Sequence, residues 1–516
     1  MGMRGVVATS HPLAAQAGLR MLMSGGNAVD AALAAAAALV VLEPTSNGLG
    51  GDAFALVWDG QLYGLNASGR APMSLSAEGL RSEGYASIPT EGWLPVTVPG
   101  AVSAWSALSR RFGTMPLSEV LRPAVEYAER GAPVPPVIAG HWRAAEKRFG
   151  TLPDFARAFL PHGRAPAPGE IFSCADLARS LRLIGETGGE AFYRGALADA
   201  VASHAERTGG YITREDLASH APEWVDPIST SYRGYEVFEI PPNGQGLVAL
   251  IALNILEGYD MGRIPQLSAD SLHLVIEALR LALADGHAHI ADPRSAPVPI
   301  AQLLSKTHAA HRRETIHPRR AGGEACSGLP GPGDTVYLCA ADESGVMVSY
   351  IQSNYMGFGS GIVVPGTGIS LQNRGAGFSL APGHPNELAP GKRPFHTIIP
   401  GFLMYRGTPV AAFGVMGGDM QPQGHVQVVS GIVDHGLNPQ SSVDCPRIRV
   451  MGGGVVAVES GIGAETAREL AQMGHSVRVE AEMAGFGGAQ IIWRDPDTGV
   501  MIAGSEPRKD GYPAAF

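Results

Sequence analysis

Apolar positions along the chain fall into helical, alternating and continuous patterns, and each predicts a different element. Residues 13–24 carry Leu13, Ala17, Leu19 and Leu22 at helical spacing, and Gly25-Gly26 ends that pattern. Asn27 is placed to cap a second helix over 28–42, almost wholly Ala, Val and Leu. A helix apolar on every face belongs in a core. This one is shorter than the roughly 20 residues that cross a bilayer, and it contains Asp30. The apolar run at 53–58 closes on Asp59-Gly60. Residues 100–220 read as mainly helical, interrupted at Pro116, Pro123, Pro133, Pro135, Pro136 and Pro153. A strand is predicted over 235–240, then helices over 247–256 and 272–284.

Two continuous apolar runs, 336–341 and 346–351, flank the turn Asp342-Glu343-Ser344-Gly345. They read as a hairpin buried on both faces, as in the core of stacked sheets. The preceding stretch, 305–334, is polar and rich in Gly and Pro, and reads as a long loop without structure of its own. Such loops are functional or linkers. Short strands follow at 361–365, 368–372, 397–405 and 410–415, with helices over 421–435 and 464–473. This mixture gives an α/β or α+β class. No internal repeat is visible.

Composition narrows the function. At 516 residues the chain could hold two or three ordinary domains, and 45% hydrophobic residues with 68 Gly and 39 Pro describe a loop-rich globular protein. A net charge of −10 argues against nucleic acid as a partner; the basic pieces around Arg312-Arg313 and Arg319-Arg320 are short. The four cysteines, Cys174, Cys326, Cys339 and Cys445, are far apart, which suggests free thiols in a reducing compartment rather than disulfides or a zinc site. The first residues lack a long apolar stretch, so a cytoplasmic, membrane-free protein is expected. The glycines of Gly48-Leu49-Gly50-Gly51 lack the Lys-Ser/Thr of a phosphate loop and are assigned to backbone turning. No cofactor is announced. His287-Ala288-His289, near Asp285 and Asp292, could offer two metal ligands from a strand, but the pair falls on a helical pattern without announced third and fourth ligands. No metal is therefore expected, and a metal-dependent hydrolase using His287 and His289 is kept as an alternative from another class.

The candidate chemistry lies where the long loop meets the hairpin, at Asp334-Thr335. If that bond were cut, Thr335 would carry a free α-amine beside its hydroxyl, so nucleophile and base would come from one residue. Taken alone, Thr335 is as well explained as a β-branched residue opening a strand. Separated blocks along the chain change this. They include Gly25-Gly26-Asn27-Ala28-Val29-Asp30-Ala31-Ala32, Gly48-Leu49-Gly50-Gly51, Val98-Pro99-Gly100, Gly209-Gly210-Tyr211-Ile212-Thr213-Arg214-Glu215-Asp216-Leu217 and Tyr232-Arg233-Gly234-Tyr235. Asn254-Ile255-Leu256-Glu257-Gly258, Gly391-Lys392-Arg393-Pro394, Gly417-Gly418 and Glu506-Pro507-Arg508-Lys509-Asp510-Gly511 complete the set. In this order they resemble the γ-glutamyltranspeptidase family nearly end to end.

The resemblance implies an α+β fold, the four-layer αββα sandwich of the N-terminal nucleophile hydrolases. It implies a precursor that cuts itself between Asp334 and Thr335. Residues 1–334 would be the large subunit and 335–516 the small one, together one αββα unit, a heterodimer that can pair into a dimer of heterodimers. Thr335 would be the nucleophile, Gly417 and Gly418 the oxyanion hole, and Asn354 a support for the nucleophile. With the hairpin read as one residue shorter than usual, Gln352 falls where the family places a Thr beside the nucleophile.

The substrate pocket departs from the family pattern. Members that take γ-glutamyl groups hold the donor's α-amine with an acid just before a Phe-Ser pair; here Gly377 precedes Phe378-Ser379, and Arg374 stands where Gln, Asn or Glu is usual. The Arg that clamps the α-carboxylate falls at Ser68, with Arg70 two residues on, and the usual Ser-Ser pair becomes His396-Thr397. The short segment 379–392 leaves little for a lid. Losing a carboxylate and gaining an arginine turns a site for a zwitterion into one for a plain anion. The expected function is thus an autoprocessed amidohydrolase or acyltransferase for small-molecule amides with an anionic acyl group. It resembles the divergent branch that includes glutaryl-cephalosporin acylases and oxamate amidohydrolases. The alternatives are γ-glutamyl transfer or hydrolysis of glutathione, and an uncleaved, non-catalytic binding protein.

Overall fold

A computed structural model describes residues 1–323 and 334–516. Two antiparallel sheets are stacked face to face. The first has seven strands, in the order Tyr512–Ala515, Gly5–Thr9, Asp334–Asp342, Met347–Tyr355, Asp52–Trp58, Leu62–Ala67 and Glu223–Val225. The second has six: Met501–Ser505, Gly488–Arg494, Thr408–Met416, Gly401–Tyr405, Tyr235–Glu239 and Ile228–Tyr232.

Strand alternation sorts the apolar side chains into three cores. Val6, Ala8, Phe54, Tyr337, Cys339 and Ile351 meet Phe402, Ala412, Met416 and Ile492 between the sheets. On the outer face of the first sheet, Val336, Leu338, Ala340 and Val348 pack on the alanine-rich helix Ala28–Leu42 and its neighbours. On the outer face of the second, Leu403, Phe413 and Val415 pack against the helices Gly246–Leu256, Ala269–His289 and Met420–Val433. The architecture is therefore helix, sheet, sheet, helix, an αββα sandwich within the α+β class.

The alanine helix is buried at all fifteen positions, and Asn27 and Asp30 close a capping box at its start. Asp30 also accepts from Thr114, tying that cap to the next layer. The predicted hairpin runs from Asp334 to Tyr355. Two expectations need correction. Residues 305–334 are not one structureless loop: Lys306–Glu314 is a helix capped by Ser305, polar on nearly every position and so invisible to hydrophobic periodicity. The expected cleavable loop at 324–333 lies outside the described residues, as does Cys326. The helix expected at 272–284 runs on to His289, which puts His287 and His289 two residues apart on one helix, pointing in different directions. They do not form a ligand pair. Among the described residues, Cys174, Cys339 and Cys445 are free thiols, and no helix is long and apolar enough to cross a membrane.

Candidate active site

Thr335 is the second residue of a strand with a neighbour on each side, and it is 2% exposed. Alternation turns it toward the inter-sheet space with Tyr337. Ser353 lies across from it on the partner strand. The Thr335 hydroxyl donates to Ser353 Oγ at 3.1 Å, and Ser353 donates in turn to the backbone carbonyl of Asp334 at 2.7 Å. The Tyr355 N–H also donates to Ser353 Oγ, at 2.7 Å. Ser353 is thus locked with its proton on the carbonyl of the bond before Thr335 and its lone pairs toward the Thr335 hydroxyl. From the second sheet's helix layer, Gln421 Nε2 approaches Thr335 Oγ1 at 3.5 Å.

Gly417 and Gly418 follow the strand Thr408–Met416 and precede the helix Met420–Val433. Their φ angles, +125° and +60°, and a Cβ at Gly417 reaching 3.0 Å from Gly487 Cα, explain the glycine at that turn. Gly417 shares a cavity of about 20 Å³, room for one water, with Asp334, Thr335, Arg449 and Lys509. A wider cleft of about 650 Å³ opens beside it, from Asp334, Arg449 and His141 to Glu277 and His475.

On the other flank lies a buried polar nest. Arg374 is fully buried; its guanidinium donates to Thr397 Oγ1 at 2.7 Å and stacks 4.1 Å from the centroid of Tyr355, the residue that also holds Ser353. Its Nε and its second terminal nitrogen have no partner. Burial lowers the guanidinium pKa to about 10, so it remains charged at neutral pH. Asp52 accepts from Gln372, from the Gly69 N–H and from His396. His396 Nδ1 accepts from the Ile398 N–H, so its Nε2 carries the proton that is donated to Asp52 at 3.0 Å. Burial, with Arg374 and Arg393 nearby, holds this imidazole neutral, its pKa well below the usual value. Burial pushes Asp52 up to about 7, against the opposing pull of Arg374.

The structure therefore sets Thr335 and Gly417 on one small cavity and gathers Arg374, His396 and Thr397 in a buried nest beside Tyr355, and it separates others from them. Gln352 is a correction: it faces the helical layer, where its amide donates to Ala36 O and Asn47 Oδ1. The expectation assumed a shortened hairpin. In fact the pairing runs Ile351 to Tyr337 and shifts register only after Gln352, so equal counting outward from the turn sets Ser353, not Gln352, opposite Thr335. Asn354 faces away from the inter-sheet space too, donating to Ser370 Oγ. Arg70 is paired with Glu223 and Asp292 and lies apart from Thr335. Asp52, Gln421 and Ser353 were not singled out in the sequence. For Ser353 the counting rule was available; Asp52 and Gln421 carry no local signal, because their partners lie far along the chain.

Known proteins resemble this chain along nearly its whole length. The family model described as "Gamma-glutamyltranspeptidase" matches residues 14–516. The chain is 38% identical over 520 residues to the glutathione hydrolase-like YwrD proenzyme of Bacillus subtilis, covering 99% of this chain and 98% of that one. It is 36% identical to the oxamate amidohydrolase proenzyme of Klebsiella pneumoniae, with 99% and 98% covered. The crystal structure of a cephalosporin acylase from Bacillus halodurans superposes with a TM-score of 0.95 at 52% identity, covering 100% of this chain and 96% of that one.

Proposed function

We propose, starting from the fact that this chain belongs to the γ-glutamyltranspeptidase family, that it is a self-cutting amidohydrolase whose acyl pocket selects a carboxylate. Membership makes it an N-terminal nucleophile hydrolase of the proenzyme type. Its finer chemistry is our reading of the site.

Cutting begins with Thr335 Oγ1 attacking the Asp334 carbonyl carbon, while the Ser353 hydroxyl holds the carbonyl oxygen. The peptide C–N bond breaks as the ester C–O bond forms, and the proton passes to the new Thr335 amine. A water, for which the cavity beside Gly417 has room, hydrolyses the ester. This leaves an Asp334 carboxylate at the end of the large polypeptide and Thr335 at the start of the small one. In turnover the α-amine of Thr335 takes the hydroxyl proton as Oγ1 attacks a substrate amide, then delivers it to the departing amine. Backbone N–H groups at Gly417 and Gly418, at the positive end of a helix, hold the oxyanion. Water then releases the acid from the acyl-enzyme. The mature form is a heterodimer, in which assembly into a dimer of heterodimers adds nothing the chemistry requires.

One observation supports the anionic acyl group: Arg374, buried and charged, keeps two guanidinium nitrogens without a partner. Burying a cation is costly unless something answers it, and a substrate carboxylate does so with a charge-assisted contact. An α-amine would find no such reception. Asp52, the carboxylate whose field reaches Arg374, already accepts from three donors. The test is intact mass followed by paired assays with glutaryl and γ-glutamyl anilides on one sample. Fragments starting at residues 1 and 335 with glutaryl preferred are expected. The same fragments with γ-glutamyl preferred would restore glutathione-type chemistry and overturn the role given to Arg374. An uncut chain would overturn the nucleophile.

A further inference from the structure

Away from Thr335, at the far end of the wide cleft, His273, Glu277 and His475 form a buried cluster whose ligand atoms all lie within 4.8 Å of one another. His273 and Glu277 occupy one face of the helix Ala269–His289, four residues apart, and His475 comes from the turn before the strand Ser476–Glu480. His273 Nε2 faces the carbonyl oxygen of His317 at 2.7 Å, so it must carry the proton, and Nδ1 presents a lone pair. That lone pair points at His475 Nε2, 2.8 Å away. A histidine whose second nitrogen is fixed on a backbone carbonyl is oriented as metal-bound histidines are. Glu277 is steadied in the same way, by the Gly322 N–H on Oε1 and by two nitrogens of Arg280 on Oε2, which leaves Oε1 a lone pair for a ligand.

We propose that His273 Nδ1, His475 Nε2 and Glu277 form a binding site for a divalent cation of the zinc class, with a fourth position open to the cleft. Two histidines and a carboxylate are a donor set suited to zinc and its borderline neighbours. Bound to one zinc, two imidazole nitrogens stand roughly 2.9–3.4 Å apart, so the existing pair opens by only a few tenths of an ångström. Binding requires His475 to move its proton from Nε2 to Nδ1, with no net proton released. Arg280 shares Glu277 and so moderates the hold on the cation. The site joins residues from both sides of the Asp334–Thr335 bond, yet it does not depend on that bond being cut or on the chemistry at Thr335.

The test uses the full protein, stripped with a chelator, loaded with zinc sulfate, desalted and analysed for zinc per chain, with melting curves on the same samples. Wild type is expected to retain about one zinc and to melt higher with it. His475→Ala should bind zinc at least about tenfold more weakly and lose the melting shift. His287→Ala, which alters a histidine on the same cleft outside the cluster, should keep both. Glu277→Gln replaces His475→Ala if circular dichroism shows the latter unfolded. Wild type without retained zinc, or zinc retained equally by the cluster variant, overturns the site.

Discussion

Among the described residues Arg374, Arg393, Arg447 and Arg508 are buried, and the partners of the last two differ from those of Arg374. Near the carboxyl end, Arg447 and Arg508 are matched with Glu459 and Glu506: Arg508 reaches both glutamates at 2.6 Å, Arg447 reaches Glu506 at 2.8 Å, and backbone carbonyls of Val443, Cys445 and Phe486 take further donors. Two cations meet two anions, and the cluster pins the last strands to the helix layer. Around Arg374, by contrast, no carboxylate lies within salt-bridge distance among the described residues, and one hydroxyl and one aromatic face are its company. In the first arrangement the charges balance without a ligand, although Arg447 Nε has no partner. The second has two guanidinium nitrogens and an unanswered charge left over, and on that charge the proposed carboxylate-binding role of Arg374 rests.

Variants at both clusters test this contrast. The largest effect is expected from Thr335→Ala, which should leave a single full-length chain on a denaturing gel and no amidase activity; residual turnover would detach the Arg374 nest from any reaction. Arg508→Ala strands the buried Glu459 and leaves Glu506 with Arg447 alone, and should cost about 3–5 kcal/mol of stability, read as a lower denaturant midpoint or loss of folded protein. Arg374→Met should do the reverse. The melting temperature should hold or rise, since an unanswered charge is removed, while kcat/KM for a glutaryl anilide falls ~10–100-fold, the worth of a charge-assisted contact. If Arg374→Met destabilised as Arg508→Ala does, the two groups would be alike and the distinction lost.

The smallest effect concerns pH. Asp52 titrates near 7 in the folded chain, well above its unfolded value, because burial disfavours its charge. Below 7 it is protonated and leaves the field of Arg374 to the substrate; above 7 its charge competes. KM for the anionic amide should therefore rise a few-fold from pH 6 to 8. Between about pH 4 and 7 the folded chain binds a proton there that the unfolded chain does not, so this group's contribution to stability falls as pH rises through 7. Asp52→Asn should flatten the KM profile.

Legibility in the sequence followed the range of the interactions. The alanine helix, its Asn27 cap and the central hairpin were legible because periodicity and capping are local. The missing acid at Gly377 and the arrival of Arg374 were legible as a change of charge. The pairing of Asp52 with His396 was not, since 344 residues separate them. Gln352 failed for a smaller reason: one step along a strand exchanges the two faces, and an assumed deletion supplied that step. Arg70 failed because its countercharges, Glu223 and Asp292, come from distant segments.

The outer edge of the first sheet carries a further consequence. Residues 6–9 pair with residues 512–515, the Phe516 N–H donates to Gly5 O, and Arg4 stacks on the Phe516 ring. The two ends of the chain are thus neighbours, while the strand bearing Thr335 lies inside the same sheet. A permuted gene that links residue 516 to residue 1 and begins at Thr335 keeps every strand in its place. Once its initiating methionine is trimmed, such a protein is born with the free amine already on Thr335. Maturation and catalysis, successive acts of one hydroxyl under the proposed mechanism, then become separable by the order in which the gene is read.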